Sequence, residues 1–400
     1  MSGGAEALPG IRLAKRMGLH VVVSDGSPEA PGLAEADDRL IASTYDVAAT
    51  VDAAMEYSRA VRPLDGVVCV AADVPVTVAS VAEALHLPGI PVESARLAAD
   101  KIAMKNRFVE RGIAVPWFVE IGGASELRAA VADRGLPLVI KPVDSRGARG
   151  VLLLVAGVDL DWAFGHAREW SPTGRVMVEE YLPGPQISTE SLLLDGVGYT
   201  PGFCDRNYEY LDRFSPWIIE NGGHQPSVLS DEDQEAVADL AVRAGLALGI
   251  RTGIVKGDMV LTPNGPKVIE VAARLSGGWF STDQIPLATG VDLVGAAIRV
   301  SLGDAVAPED LAPAYHHGVA IRYFFPHPGR VIAITGADRY RDASWVHRMG
   351  FAVGLGDVVE APTNHTRRAG FVITSGATRD EAVARAVEVV NAVQIETVPG

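Results

Sequence analysis

The chain has 400 residues, 50 acidic against 35 basic side chains, a net charge of −15 and an apolar fraction of 48%. That length buries cores for two or three domains without staples, and the acidic balance excludes a basic nucleic-acid-binding face while leaving room for a small anionic ligand. Two cysteines, Cys69 and Cys204, make no disulfide framework, no apolar run of about 18 residues offers a membrane span, and residues 1–4 lack a basic signal-peptide start, so a cytoplasmic protein is expected.

Residues 9–18 read as a helix with its stop, and 19–25 as a buried strand ending in an acid. Residues 47–61 are predicted helical, 66–71 a strand, 76–87 a helix and 89–91 a short strand. This alternation with short connections predicts a parallel sheet covered by helices. The Gly3-Gly4 turn is of the kind that follows a first strand, so either a strand lies upstream or the domain does without one. Residues 98–112 follow as a helix with Gly112 at its C′ position. From there the pattern turns antiparallel, with strands at 137–142, 151–155, 175–181 and 188–194 and a helix at 231–248. Strands at 319–325, 330–335 and 370–374 and a helix at 379–393 close the chain. The expected fold is therefore α/β passing into α+β, divided 1–98, 99–308 and 309–400.

Two stretches carry chemistry. The run Asp144-Ser145-Arg146-Gly147-Ala148-Arg149-Gly150 follows Lys141 and suits a loop whose glycines wrap phosphate oxygens, with the lysine supplying charge; its plain alternative is a hairpin with a long tip. The second is a hairpin over 254–274, where a three-residue Pro263-Asn264-Gly265 loop would pair Thr262 with Pro266. Followed back, that register sets Asp258 against Glu270, Lys256 against Ala272 and Ile254 against Arg274, all on one face. Directly opposed carboxylates repel unless a cation lies between them, and Mg²⁺ (or Mn²⁺) takes one or two carboxylates plus substrate phosphates. The alternative is a surface hairpin whose acids point into water. The following Ser276, Gly277 and Gly278 offer a hydroxyl and backbone amides to an anion, or form a plain turn. Only six of the basic residues are lysines (Lys15, Lys101, Lys105, Lys141, Lys256 and Lys267), which raises the question of why a compact ammonium is kept at each.

In this order these residues resemble the ATP-grasp superfamily of carboxylate ligases, over nearly the whole chain. The resemblance implies a Rossmann-like N-terminal domain carrying Gly3-Gly4, an ATP-grasp domain with a flexible lid near 142–185, and a small C-terminal α+β domain. It places Lys101 and Lys141 on ATP phosphates, and Ser145, Gly147 and Gly150 in the lid. Adenine falls to main-chain atoms around Glu180 and Leu182, in a hinge that includes Glu179, and ribose to Gln186, where the family usually has Glu. Asp258 and Glu270 become metal ligands and Arg274 the contact to the reacting groups. The family pattern Glu-x-Asn-x-Arg reads here Glu270-Val271-Ala272-Ala273-Arg274, so a usual metal ligand is missing. Lys256, opposite Ala272, is assigned either to the transferred phosphoryl group or simply to pairing with Asp258 or Glu270.

The implied reaction activates a carboxylate as an acyl phosphate and couples it to an amine, releasing ADP and phosphate. Substrate contacts are expected at Glu190, His224, Ser276 and Gly277, although His224 also reads as a structural histidine. The stretch around Arg322-Tyr323-Phe324-Phe325-Pro326 is similar to the C-terminal domain of L-amino-acid ligases, which points to an amino-acid substrate. Purine-biosynthetic or biotin-carboxylase-like chemistry, and a degenerate ATP-binding subunit, are the alternatives. The expected partners are ATP and small substrates, with a homodimer possible and no nucleic acid or membrane.

Overall fold

A computed structural model describes residues 1–399, which divide into two compact units. The first comprises Met1–Val115, Ser188–Phe203 and Ser230–Tyr315, and the second Pro116–Ile187, Cys204–Leu229 and His316–Gly400.

The first unit begins with helix Leu8–Arg16 and strand Val22–Asp25, which pairs in parallel with Asp38–Ile41. Helix Val47–Ala60 follows, its first turn satisfied by the Asp46 carboxylate accepting from the Ala49 amide at 3.0 Å. Residues 66–71 do not form the predicted strand. Their backbone makes isolated contacts to distant residues: the Met1 amine donates to the Val68 carbonyl at 2.7 Å, and Val70 makes an isolated bridge to Leu275. A cavity of about 320 Å³, lined by Val22, Val23 and Ser24 and by Gly66, Val67 and Val68, occupies the space where a ladder would need a strand. An apolar run becomes a strand only when a neighbour takes its amides and carbonyls. Residues 89–91 are not a strand either, because they lead directly into helix Val92–Ala99.

The predicted helix at 98–112 is helix Lys101–Glu110, and the residues before Asp100 belong to a separate helix, Val92–Ala99. Asp100 separates the two, with extended backbone (φ −113°, ψ 109°) and a carboxylate that accepts from the amides of Ile102 and Ala103 at 3.0 and 2.9 Å. An aspartate satisfies orphan amides better as a cap than as an interior residue. Further on, four strands lie in the order Gly265–Ala272, Gly253–Thr262, Gln186–Leu194 and Val197–Arg206. Helix Asp231–Ala247 packs on them through Val237, Leu240, Ala241 and Ala244. At Gly245 the approach is so close that a Cβ would lie 2.6 Å from Val255.

In the second unit an antiparallel sheet runs Phe118–Ile121, Val176–Glu180, Leu138–Pro142, Leu152–Leu154. Ile121, Leu127, Ile140, Leu152, Leu154, Phe164 and Val178 form its core against helices Ala124–Arg134 and Leu160–Glu169. Strands Gly223–Gln225, Gly318–Tyr323, Gly370–Gly376 and Val346–Phe351 lie side by side in that order, with Gly223 and His224 pairing Arg206 and Asp205, and are covered by helix Arg379–Ala392. A further three strands, Val358–Val359, Gly329–Thr335 and Gln394–Val398, complete the unit. Among the described residues no helix is long and apolar enough to cross a membrane.

Candidate functional site

The hairpin of the first unit turns differently from the expectation and arrives at the same register. Thr262 pairs with Gly265, so the loop is the two residues Pro263 and Asn264, not three. The Thr262 hydroxyl donates to the Gly265 carbonyl at 2.7 Å and accepts the Asn264 amide at 3.2 Å, which ties the tight turn. The shorter loop moves every pair by one as far as Met259 with Val268. A bulge then absorbs Ile269, and Asp258 pairs with Glu270 and Lys256 with Ala272. The expected pairing of Ile254 with Arg274 does not form, because the ladder ends at Ala272 and Arg274 turns to Asp73, with Nε 3.4 Å from Oδ1.

The carboxylate pair is held by apolar ballast on either side: Met259, Val260, Val268 and Val271 are buried. Lys256 Nζ lies 2.5 Å from Asp258 Oδ1, and Lys101 Nζ lies 3.5 Å from Glu270 Oε2. The Ser188 hydroxyl donates to Asp258 Oδ1 at 3.2 Å. Lys101 stands at the first position of helix Lys101–Glu110, so the cap at Asp100 fixes where its stem begins. Among the described residues no group of three or more His, Cys, Asp or Glu side chains could hold a metal ion. The donor set at this position is therefore two hard carboxylates, which fits Mg²⁺ taking its remaining oxygens from phosphates and water.

Beside the pair, the chain after Arg274 folds around a second acid. Glu190 is fully buried, and its Oε1 accepts from the Ser276 amide at 2.9 Å and the Ser281 hydroxyl at 2.7 Å. Burial pushes its pKa up, against the pull of those donors and of Arg274. Gly278 donates its amide to Glu6 Oε2 at 2.7 Å, and a Cβ on Gly277 would lie 2.7 Å from the same oxygen. The amides expected to face an anion thus bond to two carboxylates of the chain itself. Trp279 adopts a left-handed backbone (φ 61°), and Gln284 Nε2 donates to the Gly278 carbonyl at 2.8 Å, which closes the loop. Arg274 is desolvated, yet the charges of Asp73, Glu190 and Asp258 hold it above its ordinary value and keep it cationic.

Sequence reasoning missed Glu6 and Asp73. Glu6 carries a signal in hindsight, as an acid placed directly after the Gly3-Gly4 turn at the start of a helical segment. Asp73 has none. It lies 201 residues from the arginine it meets.

The second unit holds the remaining candidates. Lys141 and Glu179, on neighbouring strands, are both buried and form an ion pair between Nζ and Oε1. Strands Leu138–Pro142 and Leu152–Leu154 pair as a hairpin, and Ser145, Gly147 and Gly150 lie in its tip. Gly147, Ala148 and Gly150 have positive φ (65°, 58° and 72°), a curled backbone that turns amides toward one side. Glu180 ends its strand by donating its amide to the Trp117 carbonyl at 2.9 Å, while its Oε2 accepts the Trp117 amide at 3.3 Å. Leu182 is buried in the loop that follows, and Gln186 opens the next strand.

His224 is half-buried on strand Gly223–Gln225. Its Nε2 meets Arg322, and its Nδ1 lies 3.2 Å from an Arg379 nitrogen. Burial and the two guanidinium charges push its pKa down to about 3, so the ring is neutral at ordinary pH and a weak base.

Comparison with known proteins gives three consecutive family matches. Residues 11–89 match the ATP-grasp N-terminal domain, 98–278 the ATP-grasp domain and 322–398 the L-amino acid ligase C-terminal domain 2. The chain is 27% identical over 396 residues to the uncharacterised protein y4rH of Sinorhizobium fredii, covering 94% of this chain and 78% of that protein. It is 32% identical over 202 residues to a D-alanine–D-alanine ligase of Desulforudis audaxviator, a match that spans 47% of this chain and 63% of that ligase. Its fold is similar to the crystal structure of an L-amino acid ligase from Bacillus licheniformis, with a TM-score of 0.81, 21% identity, and coverage of 97% of this chain and 95% of that one. Three family matches over most of the chain and the mixed α/β fold agree: the chain belongs to the ATP-grasp superfamily of carboxylate–amine ligases.

Proposed function

We propose that this protein is an ADP-forming ligase that joins an amino acid, activated through its carboxylate, to an amine, and that Asp258 and Glu270 hold the divalent cation of that reaction. The observation that carries the reading is the ladder pair of the two carboxylates, with lysine ammoniums on both and Arg274 held cationic nearby. The C-terminal family match favours an amino acid over the bicarbonate or formate of related ligases.

The chemistry divides into two displacements. A substrate carboxylate oxygen attacks the γ-phosphorus of ATP, the bond to the ADP oxygen breaks, and an acyl phosphate forms. The amine nitrogen then attacks the acyl carbon, inorganic phosphate leaves, and the nitrogen gives up its proton. A divalent cation supplies charge neutralisation at the phosphate oxygens when bound. Arg274 steadies the carboxylate and then the departing phosphate, since a buried guanidinium of fixed geometry matches both oxyanions. Glu190 and Glu6 fix the Ser276–Gly277–Gly278 backbone beside it. On the second unit, Lys141 is assigned to phosphate oxygens with Glu179 orienting its ammonium, Ser145, Gly147 and Gly150 to a closing loop that excludes water, and Glu180, Leu182 and Gln186 to the nucleoside. Lys101 is assigned to phosphate on the first unit. His224 is assigned to orienting substrate as a neutral ring. Cytoplasmic residence and a homodimer belong to the same proposal, and light scattering checks the dimer.

The test is ADP release with a matrix of amino acids as acid and amine. Wild-type protein is expected to turn over at least one pair, and Asp258→Asn or Glu270→Gln to reduce kcat/KM by about 100-fold or more, the scale of removing a preorganised electrostatic contact. Tight ATP binding with no turnover for any pair would instead identify a nucleotide-binding subunit.

A further inference from the structure

Each member of the carboxylate pair carries a lysine of its own. Lys256 reaches Asp258 along one strand, and Lys101 reaches Glu270 from the start of a helix. Lys256 is the closer of the two, at 2.5 Å against 3.5 Å. Across the ladder it faces Ala272, whose methyl group offers no polar atom to compete with Asp258 Oδ1 for the ammonium. The Lys256 and Asp258 side chains are only 14% and 10% exposed, so water screens this contact poorly.

A divalent cation approaching this pair therefore meets an ammonium charge on each of the two carboxylates it would bind. A polyphosphate reverses the balance. It offers the ammoniums a denser anion, and a lysine is a point charge on a flexible stem that can follow it. Once the stem has swung, Asp258 and Glu270 are released to the cation. Resting on the proposed metal role of these two acids, we propose that Lys256 gates the site, so that a divalent cation binds only together with a nucleoside triphosphate. The coupling is reciprocal: nucleotide must raise cation affinity by the factor by which cation raises nucleotide affinity.

The experiment titrates Mn²⁺ into the full-length protein and follows the spin resonance signal of free Mn²⁺, with and without a non-hydrolysable ATP analogue. Wild-type protein is expected to bind Mn²⁺ at least about tenfold more tightly with the analogue than without it. Lys256→Met is expected to gain about tenfold or more in nucleotide-free Mn²⁺ affinity and to lose most of the analogue's effect. Adding Asp258→Asn to Lys256→Met should remove the gain, which ties it to this pair, and Lys256→Gln serves as a second variant should Lys256→Met melt early. Equal nucleotide-free affinity in wild type and both Lys256 variants overturns the gate while leaving the metal site standing. Absence of any Mn²⁺ binding sensitive to Asp258→Asn, even with the analogue, overturns the metal role itself and the gate with it.

Discussion

Glu190 is fully buried and Glu220 half-buried, and the two acids are driven in opposite directions. Glu190, in the first unit, accepts from an amide and a hydroxyl, and burial outweighs these donors, so its pKa lies above the ordinary value of 4.5. Glu220, in the second unit, is also penalised by burial, yet the charge of Arg206, with Arg368 behind it, holds its pKa below 4.5. Arg206 Nε donates to Glu220 Oε2 at 2.6 Å, and the same guanidinium rests 5.3 Å from the Tyr208 ring centroid. Burial alone therefore does not decide whether an acid is charged; the nearest guanidinium does. Arg274 stands near Glu190 as well, but its own hydrogen bond goes to Asp73. Glu190, its pKa raised by burial, braces the Ser276 loop beside Arg274.

The largest effect follows from taking the guanidinium away. Arg206→Met leaves Glu220 with its closest cation gone, and breaking this half-buried pair from one side is expected to cost about 2 kcal/mol, less than the cost for a fully buried pair. Urea denaturation at pH 7 should show that loss as a lower midpoint with an unchanged slope. A loss under about 1 kcal/mol would mean that Arg368 alone sustains the charge, and the contrast with Glu190 would then rest on something other than the near guanidinium.

A middle-sized effect separates the two acids by the sign of their pH dependence. The raised pKa of Glu190 means that its protonated form stabilises the fold below pH 4.5, and this is lost as pH rises through the folded value. The lowered pKa of Glu220 gives stability that is present above pH 4.5 and is lost as pH falls through its folded value. Glu190→Gln should therefore improve relative to wild type between pH 4 and pH 8, and Glu220→Gln should worsen. Slopes of the same sign in the two variants would refute the assignment.

What the sequence revealed and what it hid divide along similar physical lines. The hairpin was legible because strand alternation and a Pro-Asn-Gly turn are local signals. The turn was one residue shorter than expected, and the bulge at Ile269 that restored the register leaves no mark in composition. Its correct pairing of Asp258 with Glu270 thus came from two errors of one residue that cancel. Residues 66–71 failed as a strand for the opposite reason, since their apolar run is β-like but pairing depends on a neighbour that local sequence does not specify. The helix break at Asp100 was readable from a residue that caps better than it continues. Glu6 and Asp73 were out of reach. Their partners Gly278 and Arg274 are 272 and 201 residues away, and contacts of that span are set by topology.

The smallest expected effect tests the weak side of the opening contrast, the donors whose pull on the Glu190 pKa is outweighed by burial. Ser281→Ala removes the hydroxyl that donates to Oε1 at 2.7 Å and leaves the Ser276 amide in place. A hydrogen bond to a charged group contributes more than one to a neutral group, so the hydroxyl supports the ionised form of Glu190 more than the acid form. Its loss should raise the Glu190 pKa further. Stability should fall by about 1 kcal/mol at pH 8 and by less at pH 4, where the acid is protonated in both proteins. Chemical denaturation of Ser281→Ala at the two pH values measures this directly. A larger loss at pH 4 than at pH 8 would show that the hydroxyl serves the protonated acid, and Glu190 would then be held neutral by its donors and not only by burial.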